Sequence, residues 1–277
     1  MPPVKRGLIK KKTYTTKINM KLIHGDCIEE MVKMDENSVD LTVTSPPYDN
    51  LRTYEGSLQW NEGIWKQVLE GLYRITKEGG VVVWVVGDAT IKGSETGTSF
   101  KQALYAMECG FRLHDTMTYQ KHNFSNPSSN RYHQISEYMF VFSKGKPKSF
   151  NPIKDRPNVC AGQVGSWGKN TTRNSDGSMS ERAKGKVNTE FGMRYNIWRM
   201  KTEMNPLHPA AFSEQLAHDH IISWSNEGDT VFDPFLGSGT TGKVAVQLNR
   251  NFIGIEKVEK YYDIAKERIG KVQPMFL

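Results

Sequence analysis

Cysteine is scarce in this chain. Cys27, Cys109 and Cys160 are the only three among 277 residues. That excludes a disulfide scaffold, and their spacing makes no metal site, so no metal is expected and a reducing, cytoplasmic setting is the default. Long apolar runs are missing as well. None approaches the roughly 18 residues that a membrane span needs, so no membrane partner is expected. The first 22 residues contain no acid and no apolar core of the kind a secretory signal requires. There is no internal repeat. What is present, 37% apolar and 24% charged residues, is the composition of a globular protein, and the length suits one large domain or two small ones.

The net charge of +7 is unevenly spread. Residues 1–22 hold seven Lys/Arg and no Asp/Glu, and residues 144–205 hold thirteen Lys/Arg against five Asp/Glu. The remainder is acidic, with 17 basic and 25 acidic residues. Counterion release favours such basic segments on a polyphosphate, which makes nucleic acid the natural partner. Trp167, Asn170, Phe191, Tyr195 and Trp198 lie in the second segment and are read as part of a contact surface. A basic surface alone does not separate DNA from RNA.

Three β-branched runs read as buried strands: 39–44, 81–86 and 231–232. Their near-continuous apolar character fits a parallel sheet covered on both faces. Helical patterns follow over 65–75, 100–109, 241–248 and 260–269. The run 137–143 reads as a further strand, antiparallel to 113–119. This alternation predicts an α/β, doubly wound, mostly parallel sheet. Residues 144–205 lack periodicity, and 166–186 reads as a mobile loop, so the stretch is taken as an insertion into the core. The expected organisation is a basic tail (1–22), a first half of the core (23–143), the insertion (144–205) and a second half (206–277).

Asp233-Pro234-Phe235-Leu236-Gly237-Ser238-Gly239-Thr240 joins a strand to a helix. Glycines there permit positive φ and close approach to a ligand, and the helix N-terminus offers free N–H groups. The next strand ends in Glu256, where a carboxylate can bind both hydroxyls of a ribose. Residues 237–242 formally satisfy the dinucleotide pattern, so NAD is an alternative. Two features count against it: no second nucleotide-binding half follows, and Asp233-Pro234 precedes the glycines. A carboxylate at Asp233 instead suits the cationic amino-acid end of S-adenosylmethionine.

Thr44-Ser45-Pro46-Pro47-Tyr48 closes the 39–44 strand, where open sheets bind ligands. Two prolines fix the backbone and remove N–H donors, leaving rigidly aimed carbonyls. The Ser45 hydroxyl and the Pro46 carbonyl can accept the two hydrogens of an exocyclic amine, while Tyr48 stacks on the base.

With TSPPY (44–48) ahead of DPFLGSGTT (233–241), the chain resembles the amino-group DNA methyltransferases, in the motif order of their β group. The resemblance covers 22–143 and 206–270. It implies a Rossmann-like, S-adenosylmethionine-dependent fold, a flipped target base in double-stranded DNA and a target-recognition region at 144–205. Carried over by position, Ser45, Pro46, Pro47 and Tyr48 form the catalytic tetrad. Asp26, Asp233, Phe235, Gly237, Ser238, Gly239 and Thr240 line the cofactor, with Glu256 on its ribose and His208 and Phe212 closing its methionine end. A serine in the first tetrad position is typical of N4-cytosine enzymes and an aspartate of N6-adenine enzymes. Cytosine is therefore expected, with adenine as the alternative. C5-cytosine chemistry needs a cysteine after a proline, and none of the three is so placed; Cys27 is read as a packing residue. The resemblance leaves room for a homodimer, for a cognate restriction endonuclease, and for a nucleic-acid-binding module that has lost catalysis.

Overall fold

The computed structural model describes residues 18–47, 60–124, 127, 129–164, 171–181, 187–201 and 213–272. Eight strands form one sheet: β1 (Met20–His24), β2 (Val39–Thr44), β3 (Thr76–Val86), β4 (Arg112–Lys121), β5 (Ser136–Ser143), β6 (Ile197–Met200), β7 (Thr230–Asp233) and β8 (Asn251–Glu256). Their spatial order is β1-β8-β7-β2-β3-β5-β4-β6. Neighbours are parallel except on either side of β5.

Strand β2 is buried at every position, which explains its lack of polar alternation. In β3 the two-residue period sends Val81, Val83 and Val85 into one core, and Val82, Trp84 and Val86 into the other. The first core is covered by α4 (Glu214–Trp224), α5 (Thr240–Gln247) and α6 (Glu259–Gly270), through Leu216, Ile221, Val244, Ala265 and Ile269. The second is covered by α1 (Cys27–Val32), α2 (Glu62–Ile75) and α3 (Thr98–Glu108), through Met31, Trp65, Leu69, Leu72 and Ala106. From β2 the chain winds through α2 to β3, and from β7 it winds through α5 to β8 in the opposite direction along the sheet. The order therefore reverses between β2 and β7, and a ligand crevice opens at such a reversal.

The doubly wound fold matches the expectation, and so does the antiparallel pairing of β5 with β4. Four elements differ from the sequence reading. Strand β1 starts at Met20, inside the range read as tail, and pairs with β8. Helix α4 was not anticipated, because its buried face includes Asp219, His220 and Ser223, which blur the apolar period. The segment 197–200, read as insertion, joins the main sheet as β6 beside β4. This buries Trp198 against His220, with ring centroids 4.5 Å apart, so Trp198 is a core residue and not part of a contact surface. Finally, 171–181 is not an irregular loop. Thr171–Arg173 pairs antiparallel with Met179–Glu181. Its turn is made by Asp176, whose Oδ1 accepts from the Ser178 N–H at 2.9 Å, and by Gly177 at φ 85. Residues 1–17, Trp167 and Asn170 lie outside the described residues.

Candidate active site

Two adjacent strands deliver the two motifs. Strand β2 ends at Thr44 and passes into Ser45-Pro46-Pro47, of which Pro46 is buried and the other two half-buried. Strand β7 ends at Asp233 and opens into the glycine turn before α5. The Thr44 hydroxyl donates to Asp233 Oδ1 at 2.7 Å, although the residues are 189 positions apart. Thr241, in the first turn of α5, donates its hydroxyl to the Val43 carbonyl at 3.2 Å. The ends of the two motifs are thus bonded to each other directly.

Asp233 is 1% exposed and faces inward. Its Oδ1 also accepts from the Phe235 N–H at 3.0 Å. Burial pushes its carboxyl up to about 6, against the pull of the hydrogen bonds from Thr44 and Phe235, with Glu256 adding to the rise. Phe235 packs edge-on against Trp60 and Trp84, with centroids 5.5 and 6.3 Å away.

Glu256 ends β8, one strand further along. Its Oε2 accepts from the Gly237 N–H at 2.8 Å and its Oε1 from the Val258 N–H at 2.9 Å. Burial raises its pKa, partly offset by these N–H donors. Each carboxylate oxygen keeps a further lone pair, the requirement for holding two neighbouring hydroxyls. The Gly25 N–H donates to the Glu256 carbonyl at 2.9 Å, which brings the exit of β1 to the same place. There Asp26 caps α1 through the Ile28 N–H at 2.9 Å and meets Lys257 Nζ at 3.0 Å. Burial works against its charge, but Lys257 and the Ile28 and Glu29 amides outweigh it and hold the pKa below the usual value. Asp26, Gly237 and Glu256 lie together at the carboxyl ends of β1, β7 and β8, and their chemistry fits a nucleoside.

The glycines divide their work. Gly237 (φ 53) and Gly239 (φ 82) both take positive φ. A Cβ at Gly239 would meet Ile269 Cδ1 at 3.0 Å and Ala265 Cβ at 3.1 Å, and one at Gly242 would meet Ile269 and Phe252 at 2.5 Å. Gly239 and Gly242 therefore let α5 pack on α6 and β8. At Gly239 the neighbours that crowd a Cβ are protein atoms of α6. Ser238 and Thr240 are 3% and 5% exposed, and both face Arg268. Arg268 Nη1 donates to the Ser238 carbonyl at 3.1 Å and to the Ser238 and Thr240 hydroxyls at 3.2 Å. Its Nη2 pairs with Glu214, which also holds Lys243 Nζ at 2.7 Å.

The structure therefore brings Ser45, Pro46, Pro47, Asp26, Asp233, Phe235, Gly237, Ser238, Gly239, Thr240 and Glu256 to the carboxyl edge of neighbouring strands. Tyr48, His208 and Phe212 lie outside the described residues. Sequence reasoning gave no role to Thr44, Thr241, Glu214, Lys243 or Arg268. Thr44 carries a signal, since it belongs to the quoted motif. Arg268 carries none, because only the packing of α6 reveals its target. Burial pushes the Cys27 thiol up to about 12, which agrees with a packing role. Among the described residues no group of three or more His, Cys, Asp or Glu is placed to hold a metal ion, and no helix is long and apolar enough to cross a membrane.

Comparisons with known proteins point the same way. The chain is 53% identical over 253 residues to the orphan methyltransferase M.BamHII of Bacillus amyloliquefaciens, covering 88% of this chain and 90% of that one. It is 27% identical to the Type II methyltransferase M.SmaI of Serratia marcescens, over 90% of each chain. Among solved structures, a protein of Thermus thermophilus assigned as a DNA modification methylase, in complex with S-adenosyl-L-methionine, is 25% identical. It matches with a TM-score of 0.60 over 92% of this chain and 95% of that one. The PvuII DNA methyltransferase (cytosine-N4-specific), 21% identical, shares the fold with a TM-score of 0.67 over 91% and 87% of the two chains. The profile of the N6/N4 methyltransferases, described as DNA methylase, matches residues 39–267. A crevice built from TSPP on one strand and DPFLGSG on its neighbour, in a chain this similar along nearly its whole length, makes the protein a member of the N6/N4 DNA methylase family.

Proposed function

We propose that this DNA methyltransferase, S-adenosylmethionine-dependent like its family, methylates the exocyclic N4 amine of cytosine in double-stranded DNA, with N6 of adenine as the alternative target. The observation that carries the site assignment is the 2.7 Å hydrogen bond from Thr44 to Asp233, which joins the TSPP segment to the cofactor turn. Support for cytosine comes from the first position of the tetrad, Ser45, where adenine enzymes of the resembling family typically carry aspartate.

When bound, S-adenosylmethionine supplies an electrophilic methyl group on a sulfonium. The chain's residues do the rest. Glu256 holds the ribose hydroxyls, next to Gly237. Asp233 takes the ammonium of the amino-acid end, a cation that favours the charged form of a carboxyl whose pKa burial has raised. Ser45 Oγ and the Pro46 carbonyl accept the two hydrogens of the target amine. The lone pair of that nitrogen is otherwise delocalised into the ring, and this pair of acceptors favours a pyramidal nitrogen. The same acceptors stabilise the positive charge that develops on it. Alignment of nitrogen and methyl supplies a further large share of the rate. Tyr48 stacks on the extruded base, and extrusion costs a few kcal/mol that phosphate contacts offset. A cytoplasmic location fits action on DNA in a cell like those of its bacterial relatives. The orphan status in the name of the 53% identical relative favours action without a cognate restriction endonuclease.

The test is incubation with labelled cofactor and genomic DNA, followed by mass spectrometry of the nucleosides. N4-methylcytosine is the expected product. N6-methyladenine would move the target to adenine, and cofactor binding with no modified nucleoside would favour a binding module.

A further inference from the structure

The connection from β4 to β5 leaves a surface to which the two motifs above assign no role. Strand β4 runs parallel to β2 and β3, since both β3 and β4 oppose β5. Its carboxyl end therefore lies on the same edge of the sheet as Ser45. The connection from β4 to β5 leaves from that edge and is closed at its base by the Lys121 N–H bond to the Ile135 carbonyl at 2.7 Å. In the sheet order, β3 and β5 lie between β2 and β4. Three strand spacings of about 4.8 Å put this connection about 14 Å from the methylation site along the edge. On duplex DNA that distance is about four base pairs.

The chemistry of the connection is unusual for a solvated loop. Residues 121–135 contain no acid, but hold Lys121, His122, Phe124, Arg131, Tyr132 and His133. Tyr132 is 100% exposed and Phe124 45% exposed, with the Phe124 ring lying on His133 at a centroid distance of 4.0 Å. Arg131 Nη2 donates to the Gly93 carbonyl at 2.5 Å. This ties the connection to the turn of a small hairpin, Thr90–Ile91 with Ser94–Glu95, which leaves the same edge just after β3. At the hairpin turn Lys92 is exposed at φ 49. The acids nearby are Glu137, which pairs with Lys121, exposed Glu95, and Asp88, which is buried and takes the Ser99 N–H and hydroxyl.

We infer that the 90–95 hairpin and the described residues of the 122–135 connection form a second DNA contact, separate from the 144–205 region, that grips the duplex beside the target base. Lys92 and His122 meet phosphates, and Tyr132 lies on the sugar-phosphate backbone. A fully exposed tyrosine beside cations, on the edge that carries Ser45, fits this use because its ring can pack on sugar and its hydroxyl can reach a phosphate, contacts that carry no sequence information. The inference rests on the DNA-methyltransferase reading above and adds where the duplex runs relative to the sheet.

Tyr132→Ala and Lys92→Ala test it in the full chain, because neither side chain contributes to the core. The readouts are the Kd for a duplex across salt concentrations, the Kd for S-adenosylmethionine and the melting temperature. Tyr132→Ala should weaken duplex binding by roughly three- to tenfold. Lys92→Ala should lower the slope of log K against log salt by about 1. Cofactor affinity and melting temperature should stay at wild-type values. Wild-type duplex affinity and slope in both variants would overturn the inference. Methylation by the wild-type protein is read in a separate assay, so loss of the broader reading and loss of this one give different results.

Discussion

The glycine turn and the 171–181 hairpin are both regions that the sequence marks as ligand-facing, yet they are built on opposite terms. Around the turn, the polar groups are already bonded before any ligand arrives. Asp233, Ser238, Thr240 and Glu256 are all under 9% exposed, and Thr44, Gly237 and Arg268 fix their directions. The hairpin has three-residue strands, and its described side chains from Arg173 to Met179 are exposed. The contrast separates two demands. Methyl transfer needs atoms aligned before reaction, so that geometry is built into the fold. We propose that the hairpin serves sequence recognition, which needs a surface able to follow a duplex.

The largest break in this comparison should come at Ser45. Ser45→Ala removes an acceptor for the developing charge, so kcat should fall by about 10²–10³, with the Kd for S-adenosylmethionine unchanged. Full activity in the variant would remove Ser45 from the chemistry. Next is Gly239→Ala, where positive φ and the contacts with Ile269 and Ala265 combine. Chemical denaturation should show a loss of about 2–5 kcal/mol, and a loss below about 1 kcal/mol would mean that α5 and α6 are not closely packed there.

A pH series sharpens the account of Asp233. Burial raises its carboxyl from 3.8 to about 6, so the folded state favours the neutral acid. The stability this gives is complete below about pH 4 and is lost as pH rises through about 6. The D233N variant does not titrate there. Wild type should therefore lose stability relative to D233N across that window, by on the order of 3 kcal/mol at most. A flat difference would show that the carboxyl ionises as it does in water. Smaller again is Arg268→Ala. Arg268 holds Ser238 and Thr240 of the turn, and if it acts by positioning alone the KM for S-adenosylmethionine should rise several-fold with kcat nearly unchanged. Arg268→Lys should restore part of the effect, because a single ammonium can reach Glu214 but not span Ser238 and Thr240 as well. An equal fall in kcat for both variants would point to a general loss of structure instead.

The fold was legible wherever apolar period and turn chemistry agree. Strand β2 and the β7-turn-α5-β8 unit appear in the sequence almost residue for residue, and so does the antiparallel pair β4/β5. Helix α4 was hidden because Asp219 is buried by pairing with Arg194, and His220 by stacking on Trp198, so polar residues occupy its inner face. Strand β6 was hidden because only Trp198 and Met200 of its four residues are buried, inside a stretch rich in charge and glycine. The motif residues of the site were legible because their chemistry is local to each motif. Their joining was not, because the Thr44–Asp233 and Arg268–Ser238 bonds depend on which strands and helices become neighbours.

The finest test of the opening contrast uses two glycines with nearly the same backbone. Gly177 sits at φ 85 in the hairpin and Gly239 at φ 82 in the turn, so alanine brings about the same 1–2 kcal/mol of local strain to each. Their surroundings differ. A Cβ at Gly177 would have only the Arg173 guanidinium nearby, at 3.9 Å, against backbone and side chain of α6 at 3.2 Å or less for Gly239. The hairpin can also relieve its strain by opening, because among the described residues its two strands pair with each other. Gly177→Ala should therefore leave the melting temperature within about 1 °C of wild type, while Gly239→Ala lowers it by many degrees. Proteolysis should show the hairpin opening first in Gly177→Ala. Equal melting shifts in the two variants would mean that the hairpin unfolds together with the core and is as firmly built as the glycine turn.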